Sequence, residues 1–244
     1  MFEKYLKKSA FESLEDFKQN FEIIVPEHFN FAYDVVDEYA RTNPSKRAIC
    51  WVNDKGETHD FTFAELKQRS DETASFFQSL GIGRGDKVMM ILKRRYEFWF
   101  SILALHKIGA IGIPATHLLT PKDLIYRNNA AGVKMIITVS EPEIITNINE
   151  AITKSPTVEK LVTVGDPTPD GWISFRDGQK DSAPFVPPQG EYAPKNSDIS
   201  LLYFTSGTTA NPKMVVHDFT YPLGHIVTAF IAKGMSADLW QLTD

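Results

Sequence analysis

Residues 87–114 read KVMMILKRRYEFWFSILALHKIGAIGIP, and this stretch decides the fold. The apolar run Lys87–Leu92 has the length and character of a buried strand. The mostly apolar segment Glu97–Ile108 is long enough for a helix, and Gly109 supplies its left-handed stop. A second short apolar run follows at Ala110–Pro114. Strand, helix and strand in this order form the unit of a layered α/β fold with a largely parallel sheet.

The longest apolar region, Phe98–Ala115, is long enough to be compared with a membrane span. It contains His106 and Lys107, two glycines precede Pro114, and its periodicity changes along its length. A core helix followed by a buried strand accounts for these features. The sequence therefore predicts no transmembrane segment in this region.

Helix ends with explicit chemistry extend the pattern on both sides. Upstream, Thr62 and Glu65 form a capping-box pattern that starts a helix, and Gly81 closes it. Downstream, Thr120 caps a second helix ahead of a proline at the first helical position, and Gly132 ends it. Three further elements are predicted: the strand Lys134–Val139, the helix Pro142–Thr153, whose periodicity is less pronounced, and the strand Lys160–Val164.

The predicted fold is α/β, with one layered subdomain that has a largely parallel sheet and the start of a second α/β subdomain. Residues 1–164 are assigned to the first subdomain together with amino-terminal helices. Residues 165–198 hold six of the fourteen prolines and are predicted as a connection over the surface. Residues 199–244, with a strand, a polar loop and a helix, begin the second subdomain. Five side chains are expected to anchor the connection: Trp172, Ile173, Phe175, Phe185 and Tyr192.

Composition excludes several classes of function. The chain has 26 basic and 31 acidic side chains, a net charge of -5 and no block of like charges, so no nucleic-acid partner is indicated. The single cysteine, Cys50, can form no intramolecular disulfide, which fits a reducing compartment. Because it lies in the strand-like run Ala48–Val52, we expect it to be a buried apolar residue. The charged amino terminus lacks the apolar stretch of a signal peptide, and a cytoplasmic location is expected.

One segment asks for a functional explanation. The strand-like run Ile199–Phe204 leads directly into Thr205–Lys213, which reads TSGTTANPK. Its hydroxyls, backbone N–H groups and lysine are suitable donors for a polyanion such as a phosphate chain. The same residue types also form ordinary polar turns between strands, and composition alone leaves both interpretations open. The spacing matches neither a Walker loop nor a dinucleotide-binding glycine fingerprint.

The order of residues in this segment resembles a known signature. Residues 203–213, YFTSGTTANPK, closely resemble the signature loop of adenylate-forming (AMP-binding) enzymes, usually written TSGTTGxPK. Residues 93–114 look like a second conserved block of that superfamily. Residues 119–127, LTPKDLIYR, are similar to medium-chain and bacterial acyl-CoA synthetases in particular. The resemblance extends from about Phe29 to the end of the chain.

This resemblance implies an acid–thiol ligase that uses ATP, Mg²⁺ and CoA. A carboxylic acid would be activated as acyl-AMP, and the acyl group would then pass to CoA, in reactions such as those of fatty acid metabolism. Lys213 is assigned a catalytic role, and no residue is assigned as a metal ligand. Six residues are implied to surround the β and γ phosphates of ATP: Thr205, Ser206, Gly207, Thr208, Thr209 and Lys213.

Two features qualify the implied activity. Ala210 stands where the superfamily usually has a second glycine, and alanine at a position with positive φ costs about 1 kcal/mol. Complete members of the superfamily are also about twice this long, and their adenine, ribose and magnesium contacts lie downstream of the signature loop. We therefore expect an amino-terminal fragment that is inactive by itself. The alternative is a degenerate, non-catalytic half-domain that binds a nucleotide or a partner chain.

A few other residues have structural interpretations in the sequence. Arg94 and Arg95 are predicted as solvated positions at a helix start, and His217 and His225 as structural histidines. Phe219 is predicted in the core. The acid that is activated is not predicted, and self-association into a homo-oligomer is left open.

Overall fold

The computed structural model describes residues 2–206 and 211–232, and a mixed α/β fold organises them. The strands are β1 Arg47–Val52, β2 Thr58–Thr62, β3 Lys87–Ile91, β4 Ile111–Pro114, β5 Val133–Val139, β6 Lys160–Val164, β7 Ile173–Ser174, β8 Ile199–Thr205 and β9 Lys213–Asp218. The α-helices are α1 Leu14–Asn20, α2 Glu38–Thr42, α3 Phe63–Ser79, α4 Glu97–Ile108, α5 Pro121–Ala131, α6 Pro142–Ile152, α7 Phe175–Lys180 and α8 Tyr221–Ala232. A π-helical segment, Ala32–Asp37, precedes α2.

Seven of these strands form one sheet in the order β7-β6-β5-β3-β4-β8-β9. Every neighbouring pair from β7 to β8 is parallel, and only β9 runs antiparallel to its neighbour β8. The predicted α/β class with a largely parallel sheet is therefore confirmed. The strands β1 and β2 form a separate antiparallel ribbon.

The region Phe98–Ala115 is a core helix followed by a strand, as predicted. The helix α4 is buried along most of its length, and Gly109 ends it with a φ of 73°. The next strand, β4, lies between β3 and β8 inside the sheet. Within residues 2–206 and 211–232, no helix is both long and apolar enough to cross a bilayer.

The predicted helix ends are confirmed by their hydrogen bonds. Thr62 and Glu65 form a reciprocal capping box at the start of α3. Thr120 and Asp123 form another at the start of α5, which ends at Gly132 with a φ of 67°. These bonds satisfy N–H groups that the first turn of a helix leaves unpaired.

The connection 165–198 is more ordered than the sequence predicts, since it contains β7 and α7. Trp172 and Phe175 are buried and anchor it to the core, as expected. The prediction that Tyr192 anchors the connection is wrong, because this residue is 68% exposed. It ends a single 3₁₀ turn, Gly190–Tyr192, whose residues are all outside the core.

The segment from residue 199 continues the sheet already built by the first part of the chain. Leu201 of β8 lies opposite Gly112 of β4, and β9 then forms the edge of the sheet beside β8. The sequence does not predict this pairing, because the two strands are far apart in the chain. The division of the chain into units 1–164, 165–198 and 199–244 stays a prediction.

Cys50 is exposed, which corrects the prediction that it is buried. Alternation in a strand places successive side chains on opposite faces, and the ribbon of β1 and β2 packs against the molecule on one face only. Ile49 and Trp51 are half-buried, whereas Cys50 lies on the outer face. A hydrogen bond with Asp60 raises the pKa of its thiol.

A buried ion cluster joins α4 to the helices beside it. The Nζ atom of Lys107, whose side chain is fully buried, donates to Asp37 Oδ1 at 2.8 Å, to Asp71 Oδ1 at 2.6 Å and to Ser70 Oγ at 2.9 Å. A buried ammonium is tolerated only with such complete pairing. This cluster fixes α4, and with it the connection from β3, against α3 and the π-helical segment.

Candidate functional site

The polar segment predicted to bind phosphate closes the hairpin between β8 and β9. Thr205 and Lys213 are paired at the two ends of this hairpin, and both are exposed, as is Ser206. The described residues thus bring together Thr205, Ser206 and Lys213. Three other predicted site residues and the departure from the signature lie outside the described residues: Gly207, Thr208, Thr209 and Ala210.

The hairpin turn lies at the carboxyl edge of the parallel sheet. The strand β8 is parallel to β4, so their carboxyl ends meet at the same edge. Ligands of open α/β sheets bind outside this edge, where the connections leave the strands. The topology therefore places Thr205, Ser206 and Lys213 at the edge where such a fold offers a binding site.

The helix α5 fastens the turn at both ends. The Tyr126 hydroxyl donates to the Pro212 carbonyl oxygen at 3.0 Å, one residue before Lys213. The neighbouring guanidinium of Arg127 lies 5.4 Å from the ring centroid of Phe204, two residues before Ser206. The Tyr126 and Phe204 rings are also edge to face, with centroids 6.3 Å apart. These contacts hold the two arms of the hairpin against one helix.

Lys213 is free of an acidic partner among the residues that the structure describes. An exposed ammonium without a carboxylate keeps its donors for an anion. In the same described ranges, no three His, Cys, Asp or Glu side chains lie close enough together to hold a metal ion. The predicted Mg²⁺ therefore has no assigned ligand and stays a prediction.

The two histidines that follow the turn make aromatic contacts. The His217 ring packs on Tyr221 at 3.9 Å between centroids, and Tyr221 lies edge to face with His225 at 4.6 Å. Phe219 is buried, as predicted. These rings support the hairpin from the side of α8.

Sequence reasoning missed Tyr126 and Arg127 as parts of this site. Both lie in residues 119–127, which had been compared with acyl-CoA synthetases as a segment, without a role for individual residues. Their contacts join positions 77 to 86 residues apart. No local pattern predicts such a contact.

The fold agrees with comparisons to known proteins. A family model described as AMP-binding enzyme matches residues 36–240. This match covers most of the sequence, so the chain belongs to the AMP-binding enzyme family.

Curated relatives are named as acyl-coenzyme A synthetases. Acyl-coenzyme A synthetase ACSM5, mitochondrial, of Rattus norvegicus is 34% identical over 90% of this chain and 39% of its own length. ACSM3, mitochondrial, of Homo sapiens is 32% identical over 85% of this chain and 36% of its own length. The chain thus spans about two fifths of these relatives.

A solved structure has the same fold. The anthranilate CoA ligase AuaEII, in complex with anthranoyl-AMP, superimposes with a TM-score of 0.74 at 23% identity, over 84% of this chain and 38% of that one. At this identity the likeness establishes the architecture and not the substrate.

Proposed function

We propose that the protein to which this chain belongs is an AMP-forming acyl-CoA synthetase. A carboxylate oxygen attacks the α phosphorus of ATP, and the bond to the β-phosphate oxygen breaks to release pyrophosphate. The CoA thiol, after losing its proton, then attacks the acyl carbon and AMP leaves. The names of the curated relatives support this proposal, and the acid itself stays unassigned.

The observation that carries the proposal is the turn between β8 and β9. It presents Thr205, Ser206 and Lys213 at the carboxyl edge of the sheet, and α5 holds both of its arms. Preorganised donors of this kind stabilise charge as it develops on a leaving group. We assign Lys213 to the leaving pyrophosphate, with Gly207, Thr208 and Thr209 as further donors to the β and γ phosphates.

Mg²⁺, when bound to the triphosphate, would neutralise part of its charge. The side chains of the turn supply the rest of the positive and hydrogen-bonding surface. We also keep a cytoplasmic location within the proposal, whereas the named relatives are mitochondrial. A homo-oligomer stays a prediction that size measurements on the purified protein can check.

The test is acid-dependent exchange of labelled pyrophosphate into ATP by the whole protein. We expect Lys213→Ala to slow the exchange by about 100-fold, because loss of one preorganised charged donor costs about 3 kcal/mol at a transition state. Lys154→Ala is the matched control, since Lys154 is exposed beyond the end of α6, away from the turn. Equal exchange rates in both variants would remove Lys213 from the mechanism.

The second candidate is a degenerate domain that binds nucleotide without catalysis. Ala210, where the superfamily usually has glycine, is the observation that favours it. The same exchange experiment separates the two candidates. A wild-type protein that binds ATP but exchanges no pyrophosphate with any of a panel of acids would favour the degenerate domain.

A further inference from the structure

A second cleft lies at the carboxyl edge of the sheet, away from the phosphate turn. Its volume is about 470 Å³, within the range of small-molecule sites, and we call it the arginine cleft. It opens between β2, α3, the start of α4, the end of β6 and α7. The sheet order places β6 four strands from β8, a distance of roughly 19 Å at the usual strand spacing.

The topology marks this position independently of the cleft's shape. The strands β4 and β5 follow each other in the chain but lie on opposite sides of β3. Because crossovers of this kind are right-handed, α4 and α5 cover opposite faces of the sheet. The connection after β3 therefore leaves the sheet where the direction of the chain along the sheet reverses, which is a topological switch point. That connection contains Lys93 with a φ of 51°, and its Nζ atom bonds Glu141 after β5 at 2.7 Å. Positive φ at a residue with a side chain is uncommon and concentrates at binding sites.

Aromatic rings form one wall of the arginine cleft. Phe61 of β2 lies 5.1 Å from the Tyr96 ring and 5.2 Å from the Phe100 ring, measured between centroids. The Tyr96 and Phe100 rings are 5.7 Å apart. Such a cluster offers apolar ring faces and edges to a planar ligand.

Two arginines at the cleft keep unused donors. The Nε and Nη2 atoms of Arg95 donate to the Glu97 carboxylate at 3.0 and 2.8 Å, which fixes the guanidinium and leaves Nη1. Arg69 uses only Nη1, toward Glu72 at 3.1 Å, so Nε and Nη2 have no partner among the described residues. Arg176 adds a third guanidinium, whose exposed pair with Asp166 is weak. Three arginines thus face two carboxylates in the lining.

A fixed acceptor completes the lining. Gln179 is 8% exposed, and its Nε2 atom donates to the Arg69 carbonyl oxygen at 3.1 Å and to Thr73 Oγ1 at 2.8 Å. Those bonds fix the amide, whose oxygen Oε1 accepts no bond from a described residue. An amide oxygen without a partner can accept a hydrogen bond from a bound ligand.

We propose that the arginine cleft binds a flat organic anion that carries a hydrogen-bond donor. The planar part lies on the wall of Phe61, Tyr96 and Phe100. The anionic group takes the free donors of Arg69 and Arg95, and the donor substituent bonds Gln179 Oε1. This site is separate from the phosphate turn, and it does not depend on the proposed synthetase activity.

6-Aminonaphthalene-2-sulfonate is a suitable probe, because it is flat, its amino group supplies the hydrogen-bond donor, and its sulfonate is no carboxylic acid substrate. We expect saturable one-site binding to the 244-residue chain by calorimetry, and binding at least tenfold weaker in Arg69→Gln. Arg94→Gln is the matched control, since Arg94 is an exposed neighbour of Arg95 that does not line the cleft. The neutral 6-aminonaphthalene-2-sulfonamide, which keeps the ring and the amino group, should also bind at least tenfold more weakly.

Two-dimensional NMR locates the probe. We expect shifts at the Gln179 side-chain amide and at the amides of Phe61 and Tyr96, with none at Thr205 or Lys213. Absence of saturable binding at millimolar probe, equal affinity for the sulfonamide, or shifts confined to the phosphate turn would each overturn the proposal. Unchanged melting temperatures of both arginine variants show that they are folded.

Discussion

The imidazole of His106 is enclosed in the core. Neither ring nitrogen is bonded to any described residue, and the Phe219 ring lies edge to face at 5.6 Å. Burial lowers the pKa of His106 to about 4. The ring is therefore neutral in the folded protein, and a proton on it would have neither water nor a carboxylate to stabilise it.

This lowered pKa makes stability depend on pH. In the unfolded chain a histidine titrates near pH 6.5, so as the pH falls below that value the unfolded state takes up a proton before the folded state does. Stability is then lost progressively between about pH 6.5 and 4, by about 3 kcal/mol in total from this group. Urea unfolding at several pH values measures the loss.

In His106→Phe, the free energy of unfolding should depend less on pH between 6.5 and 4, because the phenyl ring keeps the apolar contacts and takes up no proton. His28→Gln is the control, since His28 is exposed. A wild-type and a His106→Phe protein with the same pH slope would show that another group is responsible.

Single residues also show where sequence reasoning stops. Lys107 in the apolar run suggested only that the run is no membrane span, yet its ammonium is fully buried between Asp37 and Asp71. These partners lie 70 and 36 residues away in the chain. Cys50 was misassigned for a related reason, because the fold decides which face of a strand packs against the molecule.

At the scale of elements, the sequence predicts best where the chemistry is local. The caps at Thr62 and Thr120 and the stops at Gly109 and Gly132 were found within a few residues, because each depends on neighbours in one turn. Strand order was not predicted, since pairing depends on distant segments. The elements β7 and α7 were not predicted, because the proline-rich composition of this region is typical of an irregular connection.

The attachment of the phosphate turn to α5 is also an element-scale feature. Tyr126→Phe keeps the ring contact with Phe204 and removes only the hydrogen bond to the Pro212 carbonyl oxygen. A bond of this kind contributes about 1 kcal/mol, so we expect roughly fivefold faster hydrogen exchange at the amides of Lys213 and Met214. Mass spectrometry of the peptide 205–216 measures this.

Tyr192→Phe is the matched control for that change, because Tyr192 is exposed and its hydroxyl bonds no described residue. Unchanged exchange in Tyr126→Phe would mean that the turn is held by its own strands, with α5 only in contact.

At the scale of the whole molecule, the layered α/β class and the signature of the turn could both be predicted. Both depend on local sequence: the first on the periodicity of apolar residues, the second on a short motif. The position of β8 beside β4 could not be predicted without the fold, and neither could the arginine cleft, which lies between five elements. The chain spans about two fifths of the relatives it matches, and the superfamily's contacts to adenine, ribose and magnesium are implied to follow the signature loop.

We therefore expect the 244-residue chain by itself to form no acyl-CoA. The turn supplies donors for the β and γ phosphates, but exposed donors alone face water and screening. The purified chain is incubated with ATP, Mg²⁺, CoA and a panel of acetate, medium-chain and aromatic acids, and thioester and AMP are assayed. Turnover at about 1 per second or faster would contradict the assigned roles.

The pairing of β8 with β4 also sets an order of events at the ribosome. The strand β4 ends at Pro114, and its partner on one side begins only at Ile199, about 85 residues later. At 5 to 20 residues per second, translation of that interval takes on the order of ten seconds. During that time a nascent chain carries β4 with one open backbone edge, the feature that recruits foreign strands. The partner that protects β4 is therefore the same strand that delivers the phosphate turn.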